Sequence, residues 1–336
     1  MKNWIHDNHS DIILNSKVKL YRNLKNLSFP NKLNSIVAIE KSRSIYDILV
    51  KEIEHNDLEL YEVWNGKKEF YNEYIEKDLG STDELKNPDK VSVIINNNET
   101  INIVMNNTNH IEIECITADF NIQEAFQEAM KLDNKIEENF CYAYDDELGY
   151  LTSSLDIVGT AMKISVIMNL PALKMSEEIK NISKSLEEEG FKIISIYKDE
   201  NEPLGNLYEI INKTTLGISE EDIVNNLEKV VLRIMKKELD LREIMMSKCK
   251  IEIEDKVFRA YAILKSARIL DFKEAVELLS NVRLGCELSL LNIEKSKINQ
   301  LQVIIGDSYL QNYFSKQLDS KEIKYERANL VKKILA

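Results

Sequence analysis

The chain has 336 residues, 44% of them hydrophobic and 30% charged, which is enough apolar material for packed cores and enough length for two domains. A formal net charge of -13 excludes whole-surface binding to nucleic acid and to anionic membranes, both of which require concentrated Lys and Arg. With 9 Gly and 4 Pro, most of the chain must be regular helix or strand, and no flexible linker marks a hinge.

Residues 1–10 carry Trp4, His6, Asp7 and His9 instead of a basic region followed by an apolar run, so no secretory leader is expected. No later stretch approaches membrane-spanning length. Lys17 and Lys19 alternate with Val18 and Leu20, the pattern of a solvated strand face. Two alternating runs, 91–95 and 101–105, flank the Asn-rich residues 96–99 and predict a hairpin. A third run puts Ile111, Ile113 and Cys115 on one face and His110, Glu112 and Glu114 on the other, which implies an antiparallel sheet with one polar face. Asn121 is placed to cap a helix whose apolar positions are Ile122, Ala125, Phe126, Ala129, Met130 and Ile136. A second helix is predicted from about Ser176 to Gly190. Strands at 192–197 and 206–211 then flank a polar loop, 198–205, in which Asp199, Glu200 and Glu202 read as solvent-exposed. After Gly217, Ser219 and Asp222 resemble a capping box with Asp in the Glu position, opening a helix through Ile223, Leu227, Val230, Val231, Ile234 and Leu239. From there to Ala336 nearly everything reads as helix. The cysteines Cys115, Cys141, Cys249 and Cys286 are far apart and lack metal-ligand spacing, as expected of reduced thiols in a cytoplasmic protein. The expected fold is α+β: an antiparallel sheet flanked by helices over residues 1–225, then an all-helical domain over 226–336.

Several strings, in order, carry a resemblance to a known family. They are the run 11–24, which ends Leu20-Tyr21-Arg22-Asn23-Leu24, then Gly149-Tyr150-Leu151-Thr152-Ser153-Ser154, Val158-Gly159-Thr160, Asn169-Leu170-Pro171-Ala172-Leu173, Gly205-Asn206-Leu207, Thr215-Leu216-Gly217, Ile251-Glu252-Ile253-Glu254-Asp255 and Val282-Arg283-Leu284-Gly285. Together they resemble the bacterial protein-arginine kinases (McsB type) of the ATP:guanidino phosphotransferase family, over essentially the whole chain. The resemblance implies a guanidino-kinase sheet domain and a helical domain that binds phosphoarginine and forms a dimer. It also implies transfer of the γ-phosphoryl group of ATP, with Mg²⁺, to a protein arginine. The partners it implies are a zinc-binding activator, a heat-shock repressor, a Clp unfoldase or an active paralogue, in addition to a homodimer.

The same resemblance locates the site. Family ATP-site positions fall on Asn15, Ser16, Lys17, Lys19, Glu112, Lys163 and Ile194, and catalytic positions on Thr108, Ser154 and Asp199. Phosphoarginine-site positions fall on Ile323, Lys324 and Arg327, and a His sometimes found before the sheet aligns with Asp78. The family has Arg where this chain has Lys17, Lys19, Glu112, Lys163 and Ile194, a Cys at Ser154, and acids in the string that here reads Asn106-Asn107-Thr108-Asn109-His110. Phosphoryl transfer is mostly positioning and charge neutralisation by forked cationic donors. Lysine is a point charge that cannot clamp a phosphate bidentately, Ile194 donates nothing, and Glu112 reverses the sign. The acceptor guanidinium, with a pKa above about 12, must also be oriented by acids. Losing one preorganised donor costs roughly 3–4 kcal/mol of transition-state stabilisation. The expected function is therefore that of a pseudokinase regulating arginine phosphorylation, Clp proteolysis or the stress response. The alternative is a divergent active kinase using Lys17, Lys19, Lys163 and Asp199. Glu112 is expected to point into the nucleotide cleft and repel a triphosphate, so that Glu112→Arg would raise ATP affinity more than Lys17→Arg or Lys163→Arg. Phe258, Tyr261, Ile263 and Leu264 are expected to carry the dimer contact.

Overall fold

The computed structural model describes residue 5 and residues 8–52, 57–65, 85–200, 202–314 and 318–336. Asp78 and the Asp199 side chain lie outside that description.

Eight strands form one antiparallel sheet in the order β2-β3-β4-β5-β1-β8-β10-β9. They are β1 (Ile13–Arg22), β2 (Leu58–Glu62), β3 (Ser92–Asn96), β4 (Ile101–Met105), β5 (Ile111–Ala118), β8 (Met162–Asn169), β9 (Phe191–Asp199) and β10 (Glu202–Asn212). A small ribbon of β6 (Tyr144–Asp145) and β7 (Gly149–Tyr150) stands apart. The predicted hairpin is β3–β4, and Ile113 of β5 faces Ile103 on one side and Leu20 on the other. These β-branched and aliphatic side chains fit a pleated, buried surface.

One sheet face is covered by α1 (Ser35–Glu52), α2 (Ile122–Glu137) and the first half of α5 (Glu220–Lys248). Ala125, Ala129, Leu132 and Ile136 of α2 lie in one core with Val18, Leu20, Ile113 and Ile164, the helix period meeting the strand period. The short α3 (Pro171–Met175) and α4 (Ile179–Glu188) connect β8 to β9. The C-terminal helices are α6 (Lys250–Ser266), α7 (Phe272–Glu287), α8 (Lys295–Ile304), α9 (Asp307–Tyr313) and α10 (Ser320–Leu335). They enclose a second core around Val257, Leu264, Leu279 and Val331. Val303, Ile304, Leu310 and Ile323 from this set also pack on Leu14, Ile116, Ile167 and Leu207 of the sheet. Helix α5 runs unbroken through residue 225, with Ile223 to Ile234 in the sheet core and Met245 and Met246 against the helical core.

Three local expectations are corrected. Asn121 occupies the N-cap position of α2 but makes no cap bond; its amide donates instead to Ala118 O at 2.8 Å. The loop predicted at 198–205 is mostly strand, because β9 and β10 continue to Asp199 and from Glu202. Their register shifts between Leu204 and Tyr208, where Gly205 takes φ +69 and absorbs the irregularity that reads as loop in the sequence. The Ser219 hydroxyl does accept from Asp222 N at 3.1 Å. The shorter Asp222 carboxylate, however, meets that hydroxyl at 2.7 Å and leaves the Ser219 amide without the reciprocal bond of a full box.

The strings that carried the resemblance turn out to be where elements interlock. A Cβ on Gly159, at φ +113, would lie 2.1 Å from Thr215 O, while Thr160 N donates to that oxygen at 2.9 Å. Glu238 of α5 accepts from Ala172 N and Leu173 N at 3.0 and 2.9 Å, a carboxylate on the first turn of α3. Gly205 N donates to Glu277 of α7 at 2.8 Å, and a Cβ there would sit 2.8 Å from Ser280 Oγ and 2.9 Å from Val276 Cγ1. Gly205→Ala is accordingly expected to lower stability by about 2–3 kcal/mol, combining left-handed strain with overpacking. Urea denaturation would check this; an unchanged midpoint would show that α7 does not press on the bulge.

Candidate active site

Strand β1 lies in the middle of the sheet and sets the geometry of the site. Lys17 faces Ile116 and Ser165, Lys19 faces Glu114 and Lys163, and Tyr21 faces Glu112. Cross-strand partners project to the same side, so Lys17, Lys19, Lys163, Glu112 and Glu114 share one face. Asn15 is on it too, buried, with a side-chain oxygen that has no hydrogen-bond partner. Ser16 is on the opposite face and donates to Asp119 O at 2.8 Å. Ile194 pairs with Glu209, which pairs with Ile167, placing it on the same face as the lysines but two strands beyond β8. The structure thus gathers Lys17, Lys19, Glu112 and Lys163 on adjacent strands. The Asp199 backbone closes the β9–β10 hairpin opposite Glu202.

Glu112 is 1% exposed and is a clasp more than a free charge. Its carboxylate accepts from Thr108 N at 3.2 Å, Thr108 Oγ1 at 2.6 Å and Asn109 N at 3.2 Å, with Lys19 Nζ at 3.6 Å. The turn it closes reverses at Asn106, φ +59, whose N–H donates to His110 O at 3.0 Å. The neighbouring amides are equally engaged: Asn106, Asn107, Asn109 and His110 are each 1% exposed. Asn106 donates to Ala38 O and Ser42 Oγ, and Asn107 Oδ1 accepts from Lys86 N. Asn109 Oδ1 accepts from Asn23 Nδ2 and Ser153 N at 2.7 and 3.0 Å. His110 Nδ1 accepts from Leu24 N at 3.1 Å and its Nε2 lies 3.0 Å from Ser28 O, so the ring is the neutral Nε2–H tautomer. Burial pushes its pKa down, against the raising effect of the Ser28 carbonyl. Both ring nitrogens are occupied, and the imidazole is not available as a base.

Thr108 and Ser154 are both exposed, and the Ser153 hydroxyl donates to Thr108 O, tying the two loops together. Ser154 caps the short turn Leu155–Ile157 by accepting from Asp156 N at 3.4 Å. Lys163 reaches the same turn: its Nζ donates to Asp156 O, Asn212 O and Lys213 O at 3.4, 3.2 and 3.3 Å. Burial, and then Lys192, lower its pKa to about 8 while Asp156 opposes them. Between about 8 and the ordinary 10.5 the unfolded chain holds more protons at this position than the folded one. Stability relative to Lys163→Met is therefore expected to rise with pH across that window. Paired urea titrations at its two ends would show it, and a difference independent of pH would contradict it.

In the helical part, the phosphoarginine-site positions separate. Ile323 is in the core. Arg327 is 1% exposed and spends its guanidinium on Ile305 O at 2.7 Å, Leu270 O at 3.0 Å and the Asp307 carboxylate. Lys324 is on the surface, 3.0 Å from Asp271. Of the expected dimer contacts, Leu264 is 1% exposed and belongs to the bundle's own core, whereas Phe258 and Ile263 are 49% and 39% exposed.

Sequence reasoning missed the support beneath the site. Arg22 is fully buried, donates to Asp133 at 3.0 and 2.7 Å and stacks 3.7 Å from the centroid of Tyr150. An Asp beside Leu132 on the apolar stripe of α2 was the available signal, since a buried carboxylate demands a partner. Ser153 was passed over for Ser154 because only the fold brings it to Asn109.

The ATP:guanido phosphotransferase C-terminal catalytic domain family matches residues 40–241, and the protein-arginine kinase McsB C-terminal domain family matches residues 250–336. A protein-arginine kinase of Clostridium botulinum (strain Eklund 17B / Type B) is 47% identical over 338 residues, covering 100% of this chain and 99% of that protein. One from Clostridium tetani is 38% identical, covering 100% and 99%. Among solved structures, lombricine kinase superposes with a TM-score of 0.59 at 18% identity, covering 70% of this chain and 69% of that one. The duplicated taurocyamine kinase from Schistosoma mansoni with bound transition-state-analogue components gives 0.61 at 17% identity. That match covers 74% of this chain and 37% of the duplicated one. At such identities the two kinases speak for the fold alone. With both family domains matched in order and relatives aligned from end to end, the chain belongs to the protein-arginine kinase family.

Proposed function

We propose that this chain is a non-catalytic member of its family, a cytoplasmic regulator of arginine phosphorylation and Clp-dependent proteolysis under stress. The observation that carries the proposal is Glu112, a buried carboxylate held by Thr108, Asn109 and Lys19 at a position where the family resemblance implies an arginine for phosphate. Family membership implies ATP with Mg²⁺ as phosphoryl donor, but the residues here fit that group poorly. Lys17, Lys19 and Lys163 offer charge without forks, Lys163 is spent on backbone carbonyls, and Ile194 offers no donor.

A regulator of this kind would work through retained surfaces: as a homodimer or a heterodimer with an active paralogue, or bound to a zinc-binding activator, a repressor or a Clp unfoldase. Phe258 and Ile263 are exposed apolar groups suited to the dimer contact, within a partner-binding domain that begins in α5 near residue 226. Among the described residues no helix is long and apolar enough to cross a membrane.

A second reading is favoured by one observation, the meeting of Lys17, Lys19 and Lys163 on neighbouring strands, which a divergent kinase could use to hold an anion. Calorimetric titration with Mg-ATP separates the two. The proposal expects no binding at tens of micromolar nucleotide; micromolar affinity would favour the divergent kinase.

A further inference from the structure

A hollow of about 550 Å³ lies beside the last residues of β5, Cys115 to Ala118, at the end of the strand remote from Glu112. Its other walls are the tip of the β3–β4 hairpin, the start of α2 and Asp57, which precedes β2. The hairpin tip is a firm wall, because Asn96 Oδ1 accepts from Thr100 N and Ile101 N at 2.9 and 3.0 Å. The floor is apolar: Ile101, Cys115, Ile116 and Ala125 are each 5% exposed or less. The rim is acidic. Asp119 accepts from the Asn8 side chain and from the His9 and Ser10 amides, which fixes the N-terminal segment along one edge. Glu124 and Glu128 lie one turn apart on α2, on the same side of the helix. Asp57 stands across the sheet, and its Oδ1 is buried without a hydrogen-bond partner. Among the described residues that line the hollow there is no Lys or Arg. Burial, then the charge of Glu128, then that of Glu114 push the Cys115 thiol pKa well up, so the negative field reaches the floor.

We infer that this hollow binds a linear aliphatic polyamine, a methylene chain carrying two or more ammonium groups. A buried carboxylate oxygen with no donor is costly, and an ammonium group supplies both the donor and the opposite charge. Asp57 and Asp119 flank the row β2-β3-β4-β5, three strand spacings or about 14 Å apart. Among the described residues no three His, Cys, Asp or Glu side chains converge to hold a metal ion. One compact cation therefore meets too few carboxylates, whereas a ligand with its charges spread along a chain meets carboxylates on both walls. The methylenes between its ammonium groups lie against Ile101, Cys115, Ile116 and Ala125. The volume falls within about 300–1,000 Å³, the range of sites for small ligands. Because the hollow and Glu112 are at opposite ends of β5, the inference requires neither ATP nor phosphoryl transfer and holds whether or not the chain is catalytic.

The test is calorimetric titration of the full chain with spermidine, set against butylamine and Mg²⁺ at matched ionic strength. Spermidine should bind saturably, and butylamine and Mg²⁺ at least about tenfold more weakly, the effect of losing one charge-assisted contact. Asp57→Asn with Glu128→Gln should weaken spermidine by about tenfold or more. Glu124→Gln, an exposed change on α2, should weaken it about threefold, since an exposed ion pair counts for less than a buried one. Thermal denaturation gives a second readout: saturating spermidine should raise the melting temperature of the parent chain, and that of the double variant less. Glu188→Gln, an exposed acid elsewhere, should change nothing and so controls for general attraction to an acidic protein. No saturable binding at millimolar spermidine, equal affinity for butylamine or Mg²⁺, or undiminished binding by the folded double variant or by Glu124→Gln would each overturn the inference.

Discussion

Glu287→Ala is expected to destabilise the chain by about 3–5 kcal/mol, because it leaves two buried guanidinium groups with one carboxylate between them. The Glu287 side chain is fully buried at the end of α7 and accepts from Arg283 Nε at 2.8 Å, from Arg242 Nη2 at 3.1 Å and from Asn169 Nδ2 at 2.9 and 3.0 Å. Arg242 would keep Glu238 at 2.7 Å, but Arg283 would keep only the neutral side chains of Asn299 and Gln302. Two cations would then face one anion where water cannot reach. Glu287→Gln should cost less, since its carbonyl oxygen can still accept from one arginine. Urea denaturation of both variants would check the order. A loss under about 1 kcal/mol for the alanine variant would mean that water enters and solvates the pair, making the contact equivalent to a surface salt bridge. The network spans β8, α5, α7 and α8, which gives the strings at 169–173 and 282–285 a structural role independent of the candidate site.

Glu112→Arg is the second large effect, and its expected sign follows from the geometry of the turn. Arginine has no acceptor, so Thr108 N, Thr108 Oγ1 and Asn109 N lose their common partner, and the new charge arrives beside Lys19. A loss of about 3 kcal/mol or more is expected, with no gain in Mg-ATP affinity. From sequence alone the same substitution promises the reverse, a cleft relieved of a repelling charge. Denaturation and calorimetry on one preparation would decide between them: a variant as stable as the parent that also binds nucleotide would show that the clasp is dispensable and that Glu112 acts by repulsion.

The contrast between those two expectations shows how far the residues themselves could be read. The sheet was legible because Ile101, Ile103, Ile111 and Ile113 alternate at strand period, and α2 because Ala125, Ala129 and Ile136 recur at helix period. Short-range details failed where one covalent bond or one dihedral decides them. Asp222 is a methylene too short to complete its box, Asn121 turns back to Ala118, and Gly205 lets β10 run through what looked like a loop. The site positions were assigned by resemblance, and Lys17, Lys19, Glu112 and Lys163 lie on one face of the sheet. Their partners were not legible. Asn109 finds Ser153 from 44 residues away, Asn23 finds Asn109 from 86, and Arg22 finds Asp133 from 111. No local pattern encodes such pairs. Whether a polar residue is a solvated face, a catalytic group or a structural clasp depends on those distant partners.

The most direct test of the central claim is transfer of radiolabel from [γ-³²P]ATP to an arginine-rich protein, scored for the acid-labile product that a phosphorylated guanidino group gives, with an intact protein-arginine kinase as the positive control. The structure, with Glu112 enclosed and Lys163 committed to backbone carbonyls, leads to the expectation of no label above background for this chain alone. Acid-labile label on arginine that grows with time and is lost in Lys19→Met would contradict it and establish a rewired but working kinase.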